Sequence, residues 1–329
     1  MNLKKSTNFL IFINGVFILS EYLYKIFGFN IISDFKLEGL MPGDDTPEVE
    51  IIRGQVELAK AVEEANISLT VTQSKKFHIK VANIAECLVS NGTKAIIMPL
   101  EGANEISIKL AILGVVMNII LLQRGFLAIH GNAVIINGKC VLITGASGSG
   151  KSTLTYALRQ KGYPFISDDI SAVFIKEDGS CWVEAGSPLQ KLWKDSAELN
   201  GIDIKHLSQV LDETEKYYLP VDDGFQNNSA ELSCIIEMDT DDIENVVMKE
   251  ELKHFSRLAI FLRQTYRPYY LRLLGLSNDH FNKCSYLAKR IPAYQLTRPN
   301  NGFTADSQAD LIINEINRRH KAEDEVDIR

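Results

Sequence analysis

A chain of 329 residues with 35 Lys+Arg against 42 Asp+Glu carries a formal charge of −7, and at this size folding removes about 75% of the extended chain's surface from water. Its 46% hydrophobic and 23% charged residues exclude a disordered, collagenous or coiled-coil chain, and the acidic balance argues against nucleic acid as a partner, since Lys and Arg drive phosphate-backbone binding. Five scattered cysteines, odd in number and without a Cys-x-x-Cys pair, make neither a disulfide framework nor a zinc site and point to a reducing cytoplasm.

The first apolar run follows Lys4-Lys5 and imitates the basic and apolar regions of a signal peptide, but Asn14-Gly15 divides it into two β-prone halves. Asn-Gly between such halves favours a type I′ turn, so a hairpin over 9–19 is the expectation. Strands are predicted at 68–72, 77–81 and 94–98, with a turn at Pro42-Gly43-Asp44-Asp45. A helix over 104–123 follows. Its apolar stretch, 110–122, is 13 residues long with Asn118 inside, short of the about 20 residues a membrane span needs. A buried helix is therefore expected, and no membrane partner. These elements make a small α+β N-terminal domain over 1–126, for which the sequence names no ligand.

The character changes at His130. A second Asn-Gly turn, Asn137-Gly138, joins strands predicted at 133–136 and 140–144; a Gly/Ser loop and a helix over 151–161 come next. Gly162 is placed to end that helix in the left-handed conformation, and Pro164 cannot extend it. A strand over 165–167 runs into Asp168-Asp169 and should lie beside the loop-bearing strand. Segments 183–193 and 232–238 also read as strand-bearing, the acidic residues after Met238 as a solvated face, and the charged tail 319–329 as frayed.

Gly145-Ala146-Ser147-Gly148-Ser149-Gly150-Lys151-Ser152 fits G-x-x-x-x-G-K-[ST] between a strand and a helix, the context a phosphate loop requires. Phosphate oxygens need successive backbone N–H donors, which glycines permit, and the helix beginning at Lys151 adds its partial positive charge. Gly145 through Ser152, with Thr153 behind, are the candidate nucleotide-binding residues; Lys151 should reach the β- and γ-phosphates and the Ser152 hydroxyl should ligate Mg²⁺. ATP and Mg²⁺ are the implied cofactors. Phosphoryl transfer also needs a carboxylate near the metal and one to take the acceptor's proton. Asp168 and Asp169 can divide those tasks, although a helix cap followed by a surface aspartate would look the same in sequence.

His130-Gly131, the Asn-Gly hairpin, GASGSGKS and Asp168-Asp169 together resemble the catalytic domain of HPr kinase/phosphorylase and its HPr-kinase-related branches, over about residues 125–300. The resemblance implies an α/β fold: an HPr-kinase-like P-loop domain over 127–318, a mixed sheet with helices, behind the N-terminal domain. It implies that His130 lines the active site, that Asp168 is the general base, and that Asp169, with Ser152, contacts Mg²⁺, the two acids' roles being exchangeable. Lys216 and Arg298 are further candidates for substrate or phosphate contacts. The Glu-Ile-Arg-Gly-Leu-Gly type signature of true HPr kinases is absent; after Gly186-Ser187-Pro188 the chain reads Leu189-Gln190-Lys191-Leu192-Trp193. That version is similar to tailoring kinases of ribosomal peptide pathways, lasso peptides included.

The expected function is an ATP- and Mg²⁺-dependent kinase acting on a serine hydroxyl of a peptide or protein, with a precursor peptide as one candidate partner and a homo-oligomer as a possible assembly. An HPr(Ser) kinase/phosphorylase and a free-serine kinase are alternatives within the same chemistry. A nucleotide-dependent ATPase switch is the alternative of another class, though Gln190, Gln209 and Gln226 have no motif that marks one as its water-positioning group.

Overall fold

The computed structural model describes residues 9–13, 16–20, 22–56, 67–71, 76–210, 215–221, 223–249 and 251–327. The chain forms two compact units, 1–126 with 267–277, and 127–266 with 278–329. Residues 267–277, expected in the second domain, thus cluster with the first.

In the first unit β1 (Phe9–Ile13) and β2 (Val16–Ser20) pair antiparallel, with Ile13 opposite Val16. The hairpin pairing is there; the Asn14-Gly15 turn itself lies outside the described residues. An eight-stranded sheet follows, in the order β5-β3-β4-β6-β10-β9-β8-β7. Its strands are β3 (Tyr22–Ile26), β4 (Phe29–Ser33), β5 (Met41–Pro42), β6 (Val49–Arg53), β7 (Ile67–Val71), β8 (Phe77–Val81), β9 (Ala85–Ser90) and β10 (Lys94–Pro99). The β3–β4 hairpin escapes sequence reading because its turn uses Phe27 (φ +53°) and Gly28 (φ +76°), the same positive-φ pair without the asparagine that advertises it.

Helix α1 (Glu105–Gln123) is capped by Asn104, whose Oδ1 accepts the Ser107 N–H at 2.8 Å, and contains a π-helical stretch at Ile112–Val116. At 19 residues and a mean hydropathy of 2.1 it is long and apolar enough to cross a membrane, so the length argument made from 110–122 does not hold. Burial does the deciding: 67% of its apolar window is inside the fold, with Ile112, Val116, Ile119 and Ile120 fully covered.

The second unit is organised by β11 (Leu127–Ile136) and β12 (Lys139–Gly145), joined at Asn137 (φ +52°) and Gly138 (φ +74°). After β12 come α2 (Lys151–Gln160), β13 (Phe165–Ser167), β14 (Ile170–Ile175), β15 (Cys181–Glu184), β16 (Leu189–Trp193), α3 (Lys194–Leu199), β17 (Lys216–Pro220) and β18 (Ala230–Asp241). The unit continues through β19 (Val247–Met248) and α4 (His254–Arg263); α5 (Tyr269–Leu274) lies in the 267–277 segment, and α6 (Ser277–Arg290), β20 (Ala293–Pro299) and α7 (Ala305–Asp327) finish the chain.

Parallel pairing of β12 with β18 and of β18 with β20 gives this mixed sheet its parallel core, while β11 runs antiparallel to β12, β13 and β14. The Asp168-Asp169 strand is therefore one place further from the loop strand than expected, with β11 between them. Side chains alternate along β12: Cys140 and Leu142 enter one core with α4 and α6, Val141 and Ile143 another with α2 and α7. A strand apolar on both faces is covered on both, and each such side chain contributes about 1.5–3 kcal/mol by leaving water. This double burial fixes where the loop after β12 emerges.

Helix α2 ends as its sequence predicts. Gly162 takes φ +90°, its N–H donates to the Arg159 carbonyl at 2.9 Å, and the Tyr163 N–H reaches the Leu158 carbonyl at 3.1 Å. Of the tail expected to fray, 319–327 is instead the end of α7, and 328–329 lies outside the described residues. No Gly or Pro interrupts 305–327, and the tail's Lys, Ala and Glu are good helix formers. All five cysteines are buried and free.

Candidate functional site

The loop leaves β12 at Gly145, whose φ is +141° and where a Cβ would lie 2.5 Å from the Met238 carbonyl oxygen on β18. Only glycine tolerates both conditions. Gly148 (φ +83°) and Gly150 (φ +103°) turn the chain into the first turn of α2, whose leading N–H groups have no intrahelical acceptor. Lys151 is 8% exposed and donates to the Gly145 and Ala146 carbonyls at 2.8 and 2.9 Å. Burial draws its pKa down, and Asp169 partly restores it. Arg298, at the end of β20, braces the loop from its carbonyl side, Nε to Ser149 O at 2.9 Å and Nη2 to Gly148 O at 3.3 Å.

Strands β13 and β14 follow one edge of β11 and are interrupted at Asp168-Asp169. Asp169 sits at φ +66°, a conformation that costs a non-glycine residue about 1–3 kcal/mol and persists only where neighbours enforce it. Asn132 Oδ1 accepts the Asp169 N–H at 3.1 Å, and the Asp169 carbonyl accepts the Gly131 N–H at 3.2 Å. The kink sends the two carboxyls into different surroundings. Oδ2 of Asp168 accepts the Lys191 backbone N–H at 2.9 Å, while Oδ1 is buried without a partner. Burial lifts the Asp168 pKa to about 7, against the pull of Lys191. Asp169, 27% exposed, has the Lys191 ammonium 2.7 Å from Oδ2 and His130 Nδ1 3.5 Å from Oδ1. Burial works against its charge too, but Lys191 and His130 outweigh it and hold the pKa at about 2.

His130 extends from β11, and its pKa is lowered, chiefly by burial. Nδ1 lies 3.2 Å from the Asp169 carbonyl oxygen, so a neutral ring protonated there donates to it. The Thr144 hydroxyl donates to the His130 carbonyl at 2.7 Å, tying the histidine strand to the loop strand.

One cleft gathers Ser147, Gly148, Gly150, Lys151, Ser152 and Thr153 with His130, Asp168, Asp169 and Lys216. Gly145, Ala146 and Ser149 complete the loop outside its lining. The Lys216 ammonium lies 4.5 Å from the centre of the Trp193 ring. Arg298 lines a second cleft, which shares Gly148, Gly150, Thr153 and Trp193 with the first.

Sequence reading missed three groups. Lys191 is the ion-pair partner of Asp169, and the signal lay in the lone lysine of Leu189-Gln190-Lys191-Leu192-Trp193, which alternation puts on one face with Trp193. Gln190, fully buried, donates to the Ser152 carbonyl at 2.8 Å and accepts from Arg159 at 2.7 Å, fastening β16 to α2. Asn132 had no local motif at all. Lys191→Met is expected to raise the Asp169 pKa, because burial then works against its charge without that ammonium, and to destabilise the fold at pH 7 by about 1.36 kcal/mol for each unit of the rise. The Asp169 pKa is depressed in the fold, so this stability is present above about pH 4 and lost as pH falls toward 2. Thermal denaturation from pH 2 to 7 measures it, the variant's deficit shrinking with acid.

The donors suit a hard cation that arrives with phosphates. Among the described residues no group of three or more His, Cys, Asp or Glu forms a metal cage. The cleft offers instead the Ser152 hydroxyl and the adjacent carboxyls of Asp168 and Asp169, the sparse oxygen set with which Mg²⁺ is held beside a nucleotide.

No family model matches the chain. The HPr kinase/phosphorylase of Lactobacillus acidophilus is 43% identical over 77 residues, 23% of this chain and 23% of that protein. That of Streptococcus thermophilus is 36% identical over 77 residues, 23% of this chain and 24% of that protein. The chain therefore matches about a quarter of the length of these curated relatives. Among solved structures, the HPr(Ser) kinase/phosphatase of Coxiella burnetii aligns over 60% of this chain and 98% of that chain, at 15% identity and a TM-score of 0.32.

Proposed function

We propose that this chain is HPr-kinase-like, an ATP- and Mg²⁺-dependent kinase that transfers the γ-phosphoryl group to a serine hydroxyl of a peptide or protein. The observation that carries the reading is the shared cleft: a phosphate loop and two adjacent acids, one ionised at all working pH values and one poised near neutrality.

The chain's own groups divide the work. Gly145 through Thr153 cradle the triphosphate, and the Lys151 ammonium exchanges the Gly145 and Ala146 carbonyls for phosphate oxygens. Mg²⁺, when bound, neutralises phosphate charge, and Ser152 with Asp169 would hold it. Lys191 keeps Asp169 ionised and fixes its direction. Asp168 accepts the serine proton on Oδ1, the atom without a partner, as the oxygen–phosphorus bond forms and ADP departs. A base with a pKa near working pH is efficient in both directions of proton transfer. His130, neutral at pH 7 because burial lowers its pKa, holds the Asp169 backbone and so positions the doublet. Most of the rate gain comes from placing the two substrates and neutralising charge on the transferred group.

The first acceptor to try is a seryl peptide such as a ribosomal (lasso) precursor, with HPr and free serine as competitors. Purified protein incubated with γ-labelled ATP, Mg²⁺ and these acceptors tests the reading. Label on serine is the expected result, and competition ranks the acceptors. Label that stays in ATP, or passes only to water, contradicts it; the second outcome favours a nucleotide-driven switch.

A further inference from the structure

The phosphate loop leaves β12 at its last residue; a separate cavity of about 240 Å³ lies where β12 and β18 begin, built wholly within the second unit. Ile136, Leu232, Ile291 and Ile316 line it and are almost completely buried, so they give it an apolar floor. Lys139 and Glu231, also in the lining, offset one another as an ion pair at 3.8 Å. Two arginines, Arg290 and Arg319, then set the sign of the local field.

Arg290 is held by a chain of contacts. Tyr286, one turn earlier on α6, places its ring centre 3.7 Å from the Arg290 guanidinium carbon. The Tyr286 hydroxyl in turn donates to the Gly179 carbonyl at 3.0 Å. Gly179 takes φ +85°, and a Cβ there would lie 2.5 Å from that hydroxyl. The turn before β15 therefore admits the tyrosine only with glycine in it. A guanidinium stacked by its face keeps its N–H edge for a planar acceptor, and among the described residues Arg290 has no hydrogen-bond or ion-pair acceptor. A fixed cationic fork over an apolar floor matches a carboxylate, which takes the fork with two oxygens and lays its hydrocarbon on the floor. Glu231 disfavours a multiply charged anion, and a hydroxyl-rich body would leave the floor without an apolar partner.

We propose that this cavity is a second ligand site, for a small monocarboxylate with an apolar body whose carboxylate pairs with Arg290. It does not depend on the kinase reading. At about 30 Å³ for each water-sized group, the volume accepts about eight non-hydrogen atoms, the size of hexanoate.

Titration of the full chain with hexanoate, followed by NMR at the Gly179 and Leu232 amides, tests it. Hexanol and inorganic phosphate supply the body and the charge separately. Hexanoate should shift both amides saturably and bind about tenfold or more tighter than either control. Arg290→Gln, at an exposed position where the fold should be kept, should weaken hexanoate about tenfold or more, the size of one charge-assisted contact. Hexanol or phosphate binding as tightly as hexanoate, unchanged hexanoate affinity in Arg290→Gln, shifts confined to the 145–152 loop, or no shift at all would overturn the site, and each leaves the kinase reading standing.

Discussion

Asp168→Asn is expected to slow phosphoryl transfer to serine by about 10²–10⁴-fold, the usual contribution of a positioned base, while ATP binds almost as tightly as to wild type. The same substitution should stabilise the fold at pH 8. Asp168 has a folded pKa of about 7, well above the ordinary carboxylate value of 3.8, because burial penalises its charge. Its contribution to stability is therefore complete below about pH 4 and lost as pH rises through 7. An amide of the same shape carries no charge to bury. Melting curves of the two proteins should approach one another in acid and separate above pH 7, the variant melting higher. In wild type the rate should rise as Asp168 ionises through about pH 7, and the variant should lack that limb. A variant that melts lower at pH 8, or that keeps the pH limb, would remove Asp168 from the base's role.

Lys151→Met is the second large effect. Turnover should fall by about 10²–10³-fold or more, the loss seen when one preorganised charge contact to a transition state is removed. Affinity for ATP and for inorganic triphosphate should fall together, since the ammonium meets phosphate in both. Folding should survive. Lys151 is a nearly buried ammonium whose own partners are two carbonyls of the loop, and burial already draws its pKa down. Methionine fills similar volume without the desolvation penalty. Circular dichroism and melting of the variant separate a lost phosphate contact from a lost fold.

Much of the second unit was legible because its local chemistry is emphatic. Asn137-Gly138 demands positive φ twice, the Gly/Ser loop is bracketed by a strand apolar on both faces and a helix with a glycine stop, and the acid pair follows a short apolar strand. Those signals act within a dozen residues. What stayed hidden depends on strand order and distance. Nothing in 165–169 says that β11 stands between it and the loop strand, and nothing in 189–193 says that Lys191 reaches an aspartate 22 residues earlier. The missing signature after Pro188 removed a familiar acid and base; Lys191 and Gln190 use the same strand to hold Asp169 and α2 in other ways. In the first unit the Phe27-Gly28 turn lacked the asparagine that would have exposed it, and α1 was measured by its apolar run rather than by the full Glu105–Gln123 helix.

The most direct test is a crystal structure with Mg²⁺ and a non-hydrolysable ATP analogue. It should show the triphosphate wrapped by 145–152, the Lys151 ammonium turned from its own loop onto phosphate, and both Asp168 and Asp169 facing the terminal group. Phosphates bound elsewhere on the chain, or acids turned away from them, would contradict the account.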